Sequence, residues 1–565
     1  MFICPTTSYA APNVRVTING VDGELLTNIR NSLSLARTEE KLSASEVARL
    51  HQRAVNEIGR ALQPFGYYQP EIDSRLEPQQ DSWQASYRIT LGPAVIIDQV
   101  TIDITGPGRS LPPVQPLLNN PSLKSGDQLS HATYANYKQQ LYDQVFQQGY
   151  LDATFTRSEL QVNVNRQRAN ILLTLETGAP FFFGEVVIEQ SVIEPQRLQR
   201  LITVDRNTPF NADRLLELQL ALSDTGYFSQ VDIDIQKENA IDQRIPVIIT
   251  AKPAKRLKYS FSLGYGTDTG PRVGFSILDR RVNQSGHSAQ YNMRLSAVEN
   301  TINSQYKIPI GNFYSEFWDF YGGGTQEQVN DIESLQYSVG TSLNQNRWGG
   351  RRRLSLTLLR EEFSFDDEPQ QVANLLIPGI TFNYSKSDNT LFARRGYSFL
   401  VDVHGGLESA LSETSFVYGK LTARSVRPLS QRSRLLNRLE LGAISSDSFE
   451  QLPPSQRFFT GGSQSVRGYG YKDIAPKNDL GNIVGGQYLV TGSIEVDRLF
   501  WGNHGAALFY DVGDAPADTT LDLKTAAGFG YRYKSAVGMI RIDIAHPFDD
   551  PDNDVRLHIS IGPDL

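Results

Sequence analysis

The amino-acid sequence predicts a two-part protein: three α+β modules of the order β-α-α-β-β, followed by a 16-stranded antiparallel transmembrane β-barrel. A unit of about 80 residues recurs three times in the first half of the chain. From about Leu257 onward, helical periodicity disappears and apolar residues alternate with polar ones. The 565 residues include 25 Tyr, 27 Phe and 45 Gly but only 3 Met, a composition typical of β-structure.

Each predicted module opens with a short alternating strand, continues with helical periodicity, and ends in two strands. The opening strands are "NVRVTING" (13–20), "DQVTIDITG" (98–106) and "GEVVIEQ" (184–190). Each helical stretch stops at a Gly-Tyr pair, beginning at Gly66, Gly149 and Gly226, and glycine is the preferred residue at such a helix end. We expect module boundaries at 13–93, 94–180 and 181–254.

The second half, residues 255–565, contains about sixteen alternating segments, an even number as a closed antiparallel barrel requires. We expect them to start near residues 257, 272, 288, 302, 314, 334, 351, 374, 396, 413, 432, 486, 504, 523, 537 and 554. One face of each segment is apolar and the other carries charged and hydroxyl side chains. A soluble β-sandwich or propeller fits less well. The array is too long for one sandwich. A barrel with lipid outside and a hydrated lumen inside explains both the apolar and the polar face of each segment.

Charge and cysteine content exclude several classes of function. The formal net charge of −8 at pH 7 lacks the basic footprint of a nucleic-acid-binding protein, so no nucleic-acid partner is expected. The only cysteine, Cys4, lies in residues 1–12, "MFICPTTSYAAP", whose small-residue end resembles the tail of a secretory signal. We interpret this segment as a signal-peptide remnant or a disordered tail. Its removal leaves no cysteine for a disulfide or a thiolate metal site.

One long connection, residues 445–485, has no sustained periodicity and contains "GGSQSVRGYG" (461–470). Loops of this length are usually functional or disordered. The next two strands place Glu495 and Asp511 on their lumen faces. An arginine on an infolded loop would meet these carboxylates, with which guanidinium forms charge-assisted pairs. The alternative is that Arg467 is an ordinary surface residue.

The modules resemble polypeptide-transport-associated (POTRA) domains, and four segments of the second half resemble the outer-membrane protein assembly factor superfamily of BamA, TamA and the two-partner secretion transporters. "VRGYG" (466–470) is similar to that family's V-R-G-[FY] signature, and "FYD" (509–511) to its F-x-D strand motif. Residues 528–547 and "RRGYSF" (394–399) also resemble family segments. The resemblance implies that the loop lies inside the barrel, with a site comprising Val466, Arg467, Gly468, Tyr469, Glu495, Phe509 and Asp511.

Three POTRA-like repeats and the ending "SIGPDL" make the chain most similar to the TamA branch. The resemblance implies a protein of the Gram-negative outer membrane, with its POTRA repeats in the periplasm. It also implies a role in inserting or secreting β-rich outer-membrane proteins such as autotransporters. Implied partners are unfolded outer-membrane protein clients, outer-membrane lipid and a TamB-like protein anchored in the inner membrane.

The first barrel strand (257–266) is expected to pair with the last (554–562), which closes the barrel at a lateral seam. Glycine weakens strands, so this seam could open and its edges could template an incoming strand. The seam residues are Tyr259, Phe261, Gly264, Gly266, Leu557, Ile559 and Gly562.

Three other functions are less consistent with the sequence. A passive porin has no use for the modules, and a two-partner secretion transporter exporting a soluble substrate is favoured by fewer repeats and a plug helix. An enzyme is not expected, since neither G-x-S-x-G nor H-E-x-x-H occurs and the seven His lack ligand spacing. No catalytic residue, cofactor or metal is therefore predicted.

Overall fold

The computed structural model describes residues 13–38, 40–80, 82–202, 204–268, 270–310, 316–366, 368–536, 538–550 and 554–562. The expected signal remnant, residues 1–12, lies outside the described residues, and so does the last half of the "SIGPDL" ending.

Three small α/β modules form the N-terminal part, as the repeat predicts. Module 1 contains β1 (Val14–Asn19), α1 (Gly23–Ser32), α2 (Ser34–Arg37), α3 (Ala44–Leu62), β2 (Glu71–Gln79) and β3 (Ser82–Thr90). Module 2 contains β4 (Ile96–Thr105), α4 (Gln115–Asn119), α5 (His131–Gln147), β5 (Thr154–Asn163) and β6 (Arg168–Glu176). Module 3 contains β7 (Phe182–Glu189), α6 (Pro195–Gln199), α7 (Ala212–Asp224), β8 (Phe228–Ile235) and β9 (Arg244–Pro253). The four-residue helix α2 is an addition to the predicted order.

Each module builds a three-stranded sheet in which its last strand lies in the middle. The orders are β1-β3-β2, β4-β6-β5 and β7-β9-β8. In modules 1 and 2 the first strand runs parallel to the last and the second runs antiparallel to it. Each sheet therefore has two outer strands, which are the positions where an extended chain could add.

Apolar residues from the sheet and helices close a separate core in each of the first two modules. The core of module 1 contains Val14, Ile29, Leu33, Leu35, Val47, Ala54, Ile58, Ala61, Leu62, Ala85, Tyr87 and Ile89. Two predicted helix-terminating glycines are sterically required. Gly66 has φ of 86° and a Cβ there would lie 2.6 Å from the Leu129 carbonyl oxygen. Gly149 has φ of 90° and a Cβ there would lie 2.7 Å from the Phe210 carbonyl oxygen.

The C-terminal part is one 16-stranded antiparallel sheet with strands in sequence order. The strands are β10 (Leu257–Gly266), β11 (Gly270–Asp279), β12 (Ser288–Ser296), β13 (Glu299–Pro309), β14 (Phe317–Val329), β15 (Ile332–Arg347), β16 (Gly350–Phe365), β17 (Gln371–Ser387), β18 (Gly396–Gly406), β19 (Phe416–Pro428), β20 (Ser433–Ser446), β21 (Tyr488–Trp501), β22 (His504–Asp514), β23 (Lys524–Ser535), β24 (Gly538–Pro547) and β25 (Arg556–Gly562). Their starts lie within a few residues of the predicted positions. Strands β15 to β17 have 16 or 17 residues, more than the roughly 9–11 needed to span a bilayer.

Burial follows the predicted alternation along the strands. On β22, Leu508 and Tyr510 are exposed on the outer face, whereas Ala507, Phe509 and Asp511 are buried on the lumen face. The outer face of β22 is therefore apolar, which suits a lipid-facing wall, and its lumen face carries the buried Asp511. Within the described residues, no helix combines the length and apolarity needed to cross a bilayer.

The expected pairing of the first barrel strand with the last is wrong over the described residues. The hydrogen-bonded sheet begins at β10 and ends at β25, and these two strands form its edges. Strand β25 has seven residues and ends at Gly562 with φ of 153°. Such a short strand offers few backbone groups for a ladder. The residues of β10 are exposed on both faces, apart from the half-buried Gly264 and Gly266.

Residues 447–487, which we call the infolded loop, connect β20 to β21 and lie inside the barrel. The loop contains two short 3₁₀ turns, Phe449–Gln451 and Pro454–Gln456, and isolated bridges such as Thr460↔Ile474. Leu452 and Phe458 pack in one apolar cluster with residues of the barrel wall. The predicted range, 445–485, is close to the observed one.

Candidate functional site

Arg467 of the infolded loop binds the two carboxylates that the alternation places in the lumen. Its Nε lies 2.7 Å from Asp511 Oδ2 and its Nη2 lies 2.9 Å from Asp511 Oδ1, so the guanidinium engages both oxygens. Its Nη1 lies 2.8 Å from Glu495 Oε2. The Arg467 backbone N–H also donates to Asp511 Oδ2 at 3.1 Å. The Asp511 carboxylate therefore holds both the side chain and the main chain of the loop tip.

The guanidinium of Arg467 also lies over an aromatic ring. Its central carbon is 3.4 Å from the centroid of Phe509, on the same strand as Asp511. A cation over a desolvated ring is stabilised by the ring quadrupole. The Arg467 side chain is 6% exposed and that of Asp511 is 0% exposed, so these contacts are shielded from water.

Two further charged residues complete the cluster, and the sequence analysis did not connect them to the loop. Asp543 on β24 accepts from Arg467 Nη1 at 3.1 Å. Arg532 on β23 donates to Glu495 Oε1, with Nη2–Oε1 of 2.7 Å, and also binds Asp543. The alternation of β24 already places Asp543 on the polar face, but nothing in the sequence sets its height against Arg467.

Arg467, Arg532, Glu495, Asp511 and Asp543 form what we call the lumen charge cluster. Its wall members come from four consecutive strands, β21 to β24, so the loop arginine joins those strands from inside. Two guanidinium groups face three carboxylates, all of them buried. Removing one member of a buried ion cluster leaves its partners as uncompensated buried charges, at a typical cost of about 3–5 kcal/mol. The cluster therefore fixes the loop strongly against the wall.

The other motif residues also anchor the loop. Val466 is fully buried and packs with Tyr469 and with Ala526 of β23. The Tyr469 hydroxyl donates to the Thr525 carbonyl oxygen at 3.3 Å. Gly468 has φ of 96°, and a Cβ there would lie 3.1 Å from Pro547 N, so the position suits glycine alone. The motif residues therefore pack closely against strands β22 to β24.

The predicted seam residues do not form a common packed cluster. Tyr259, Phe261 and Leu557 are exposed to the outside, and Ile559 is half-buried. The Tyr259 ring stacks on Phe275 of β11, with centroids 6.5 Å apart, rather than across the seam. Gly264 lies against Arg272 of the neighbouring strand. Over the described residues, the seam therefore consists of two sheet edges without strand pairing, with apolar residues on their outer side.

The described part of the chain contains no group of three or more His, Cys, Asp or Glu side chains arranged to hold a metal ion. The lumen charge cluster is saturated by its own hydrogen bonds. Its arrangement can fix a loop inside a barrel, since each carboxylate already accepts from a guanidinium.

Comparison with known families agrees with this architecture. The model described as "Omp85 superfamily domain" matches residues 255–564, more than half of the chain, and the chain belongs to that superfamily. A "POTRA domain TamA domain 1" model matches residues 15–91, and a "Surface antigen variable number repeat" model of the POTRA type matches residues 181–252. The protein is thus an outer-membrane β-barrel protein with N-terminal periplasmic POTRA domains.

Two relatives are both described as outer membrane protein assembly factor BamA. The protein of Nitratidesulfovibrio vulgaris is 22% identical over 451 residues, which cover 76% of this chain and 55% of the relative. The protein of Neisseria meningitidis serogroup B is 21% identical over 432 residues, which cover 68% of this chain and 54% of the relative. The chain spans about half the length of these curated relatives.

One solved structure shows the same fold at low sequence identity. The crystal structure of BamA from Haemophilus ducreyi lacking POTRA domains 1–3 aligns with a TM-score of 0.58 and 12% identity, covering 98% of this chain and all of that one. CdiB from Acinetobacter baumannii aligns with a TM-score of 0.46 and 14% identity, covering 93% of this chain and all of that one.

Proposed function

We propose that this protein is an outer-membrane assembly or translocation factor, which inserts or secretes β-rich outer-membrane proteins through the seam between β10 and β25. The observation that carries the proposal is the pair of sheet edges, which share no strand pairing over the described residues. Unsatisfied backbone groups cannot remain in lipid, so such edges favour pairing with an incoming strand. Clients such as autotransporters fit this role.

The N-terminal modules support the same role. Their sheets have outer strands that can bind an extended chain by β-augmentation. We propose domain boundaries of 13–93, 94–180 and 181–254 for the three POTRA modules, and 255–565 for the barrel. The match of module 1 to the first TamA POTRA domain supports a TamA-like function with a TamB-like partner anchored in the inner membrane.

The proposed role requires no covalent chemistry. The lumen charge cluster acts by holding the infolded loop, and we assign it the role of keeping the barrel in a competent shape. The alternative is a two-partner secretion transporter, which would export one soluble substrate through the pore.

A disulfide across the seam tests the lateral route. The chain has a single cysteine, Cys4, so engineered pairs are easily followed after a Cys4→Ser change. Thr267→Cys with Ile559→Cys joins the seam where the Ile559 N–H lies 3.4 Å from Thr267 Oγ1. Ser260→Cys with Ser276→Cys is the matched control, because these residues are register partners inside the sheet.

Each variant replaces the wild-type protein in depleted cells, and the outer-membrane proteome is compared with and without reductant. We expect the oxidised seam pair to reduce several β-barrel or autotransporter proteins, reductant to restore them, and the control pair to have no effect. Normal levels of these proteins with the seam fully crosslinked would exclude the lateral route. Loss of one secreted soluble protein alone would favour the two-partner alternative.

A further inference from the structure

The segment "RRGYSF" (394–399) contributes neither to the lumen charge cluster nor to the seam. Its first arginine has a structural task, because Arg394 Nη2 donates to the Ser430 carbonyl oxygen at 2.7 Å and so joins two neighbouring turns. Its second arginine, Arg395, is exposed. Within the part of the chain that the structure describes, the Arg395 side chain makes no hydrogen bond or ion pair. Its guanidinium is therefore available to a ligand.

A second arginine without an acidic partner lies beside Arg395, on the next strand. The register pairs Gly396 of β18 with Val426 of β19, and continuing it by one step places Arg395 opposite Arg427. Arg427 is exposed, and among the described residues its guanidinium has no carboxylate partner. Asp388 accepts from the Arg395 backbone N–H at 3.1 Å rather than from the guanidinium. Like charges opposite each other on adjacent strands destabilise a sheet, and an anion between them would remove the repulsion. We call Arg395 and Arg427 the arginine pair.

The arginine pair lies on the outer face of the barrel, next to an apolar groove. Side chains alternate along a strand, so the same face of β18 continues with Tyr397, which is 40% exposed, and Phe399, which is 42% exposed. The register places Ser425 and Ala423 of β19 beside these two rings. The small side chains form the floor of a groove of about 840 Å³, which Leu439 of β20 borders on the other side. We call this depression the wall groove.

The arginine pair is at the periplasmic end of the barrel wall. The last strand of module 3 ends at Pro253 and β10 begins at Leu257, so β10 starts on the periplasmic side. Because strands alternate in direction, β18 begins and β19 ends on that side. Tyr384 stacks on Tyr397 with ring centroids 5.8 Å apart, and tyrosine is enriched at the level of lipid headgroups. From the periplasmic end inward, the outer face is therefore charged, then aromatic, then apolar, in the order of a phospholipid's phosphate, glycerol and acyl chains.

Two other arginines at the periplasmic end have the carboxylate partners that the arginine pair lacks. Arg256 Nη2 lies 2.8 Å from Asp279 Oδ2, and Arg347 Nη1 lies 3.0 Å from Glu316 Oε1. Lys386 of β17 adds a third positive charge beside the wall groove, because it is the register partner of the first aromatic residue there and is exposed. The positive charge at this place is therefore left for an anion from outside the described chain.

We propose that the arginine pair and the wall groove bind one anionic phospholipid of the periplasmic leaflet. The lipid phosphate lies between the two guanidinium groups, whose planar donors suit phosphate oxygens. One acyl chain fills the groove over Ala423 and Ser425. A net negative headgroup such as that of phosphatidylglycerol is preferred over a zwitterionic one, because basic side chains at the membrane surface attract anionic lipid. The site involves neither the seam nor a client, so it can fail while the proposed function holds, and the reverse.

Native mass spectrometry of the full chain in detergent measures this preference. The protein is titrated with phosphatidylglycerol or with phosphatidylcholine of the same acyl chains, and the Kd of the first bound lipid is compared. We expect the wild type to prefer phosphatidylglycerol. The double variant Arg395→Gln with Arg427→Gln should weaken phosphatidylglycerol binding about 30-fold, because each basic residue at an anionic surface contributes a factor of about five. Phosphatidylcholine binding should stay nearly unchanged.

Arg432→Gln with Arg498→Gln is the matched control for that double variant. Both residues are exposed near the periplasmic ends of their strands, and the change removes the same charge away from the wall groove. We expect it to alter the Kd for phosphatidylglycerol less than about twofold. Heat-modified migration on a gel checks that every variant forms a barrel.

A substitution in the groove floor separates a lipid site from a site for free phosphate. Ala423→Phe fills the groove and should weaken phosphatidylglycerol binding about tenfold, the equivalent of roughly two CH₂ groups no longer buried. Leu508→Phe is the control, since Leu508 is 69% exposed on the outer face of β22. An excess of inorganic phosphate should displace little lipid, because phosphate cannot use the groove.

Three results would overturn the proposal. Equal weakening by the arginine-pair variant and its control would show that binding follows overall surface charge. Equal affinity of the wild type for the two lipids would exclude a preference for an anionic headgroup. Unchanged binding in folded Ala423→Phe, with full displacement by inorganic phosphate, would show a phosphate site in place of a lipid site.

Discussion

The interior of a POTRA module and the interior of the barrel are both buried, but the barrel interior also holds a cluster of charged side chains. Module 2 closes around apolar side chains such as Leu141, Leu173 and Leu175. The barrel encloses a loop whose tip belongs to a cluster of five buried charged residues, one of which is the loop's own Arg467. An apolar core spreads its stabilisation over many small contacts, whereas a buried charge cluster concentrates it in a few residues. A single substitution in the charge cluster should therefore destabilise the barrel more than a single substitution in an apolar core destabilises its module.

The largest effect is expected from Arg467→Met. Methionine fills space but leaves Asp511, Glu495 and Asp543 with one guanidinium among three buried carboxylates. We expect the barrel to lose about 3–5 kcal/mol of unfolding free energy, measured from the denaturant midpoint in detergent. The unfolding free energy of Arg467→Lys should lie between those of the wild type and Arg467→Met, because an ammonium cannot reproduce the bidentate geometry.

Arg360→Met is the matched control for that substitution. Arg360 pairs with Glu362 at 3.0 Å but is 52% exposed, and exposed pairs contribute about 0–1 kcal/mol. If both methionine variants unfold at the wild-type midpoint, the lumen charge cluster does not hold the barrel.

A smaller and local effect is expected from Leu173→Ala in the core of module 2. Leu173 is 1% exposed on the central strand β6, and such truncations cost about 2–5 kcal/mol. Hydrogen exchange should show faster opening of module 2, with barrel exchange unchanged. Leu220→Ala, at a helix position that is 53% exposed, should leave exchange unaltered. Equal acceleration throughout the barrel would show that the two interiors are not independent.

The smallest effect concerns a helix start. Ser43 caps α3 through a reciprocal capping box, in which its hydroxyl accepts from the Glu46 N–H and the Glu46 carboxylate accepts from the Ser43 N–H at 2.9 Å. Ser43→Ala should cost about 1 kcal/mol, seen as faster exchange in the first turn of α3. Ser43→Asp should retain the cap. If the alanine variant keeps wild-type protection from hydrogen exchange in the first turn of α3, packing alone determines where this helix begins.

Much of the fold could be read from periodicity. The three-fold repeat located the modules, and alternation located all sixteen barrel strands to within a few residues. Alternation also put Glu495 and Asp511 on the lumen face, where the structure has them beside Arg467. The extra helix α2 was missed because four residues are too few for a periodic signal.

Sequence alone determined which face each strand residue occupies, because side chains alternate strictly along a strand. Only the tertiary structure decided which residues share a height in the barrel, since height depends on strand register and tilt across distant parts of the chain. The sequence therefore did not predict that Arg532 and Asp543 belong to the lumen charge cluster. The same reason applies to the seam, where the turn after β10 contacts β25 through Thr267 and Asp268. Over the described residues, the two edge strands share no pairing.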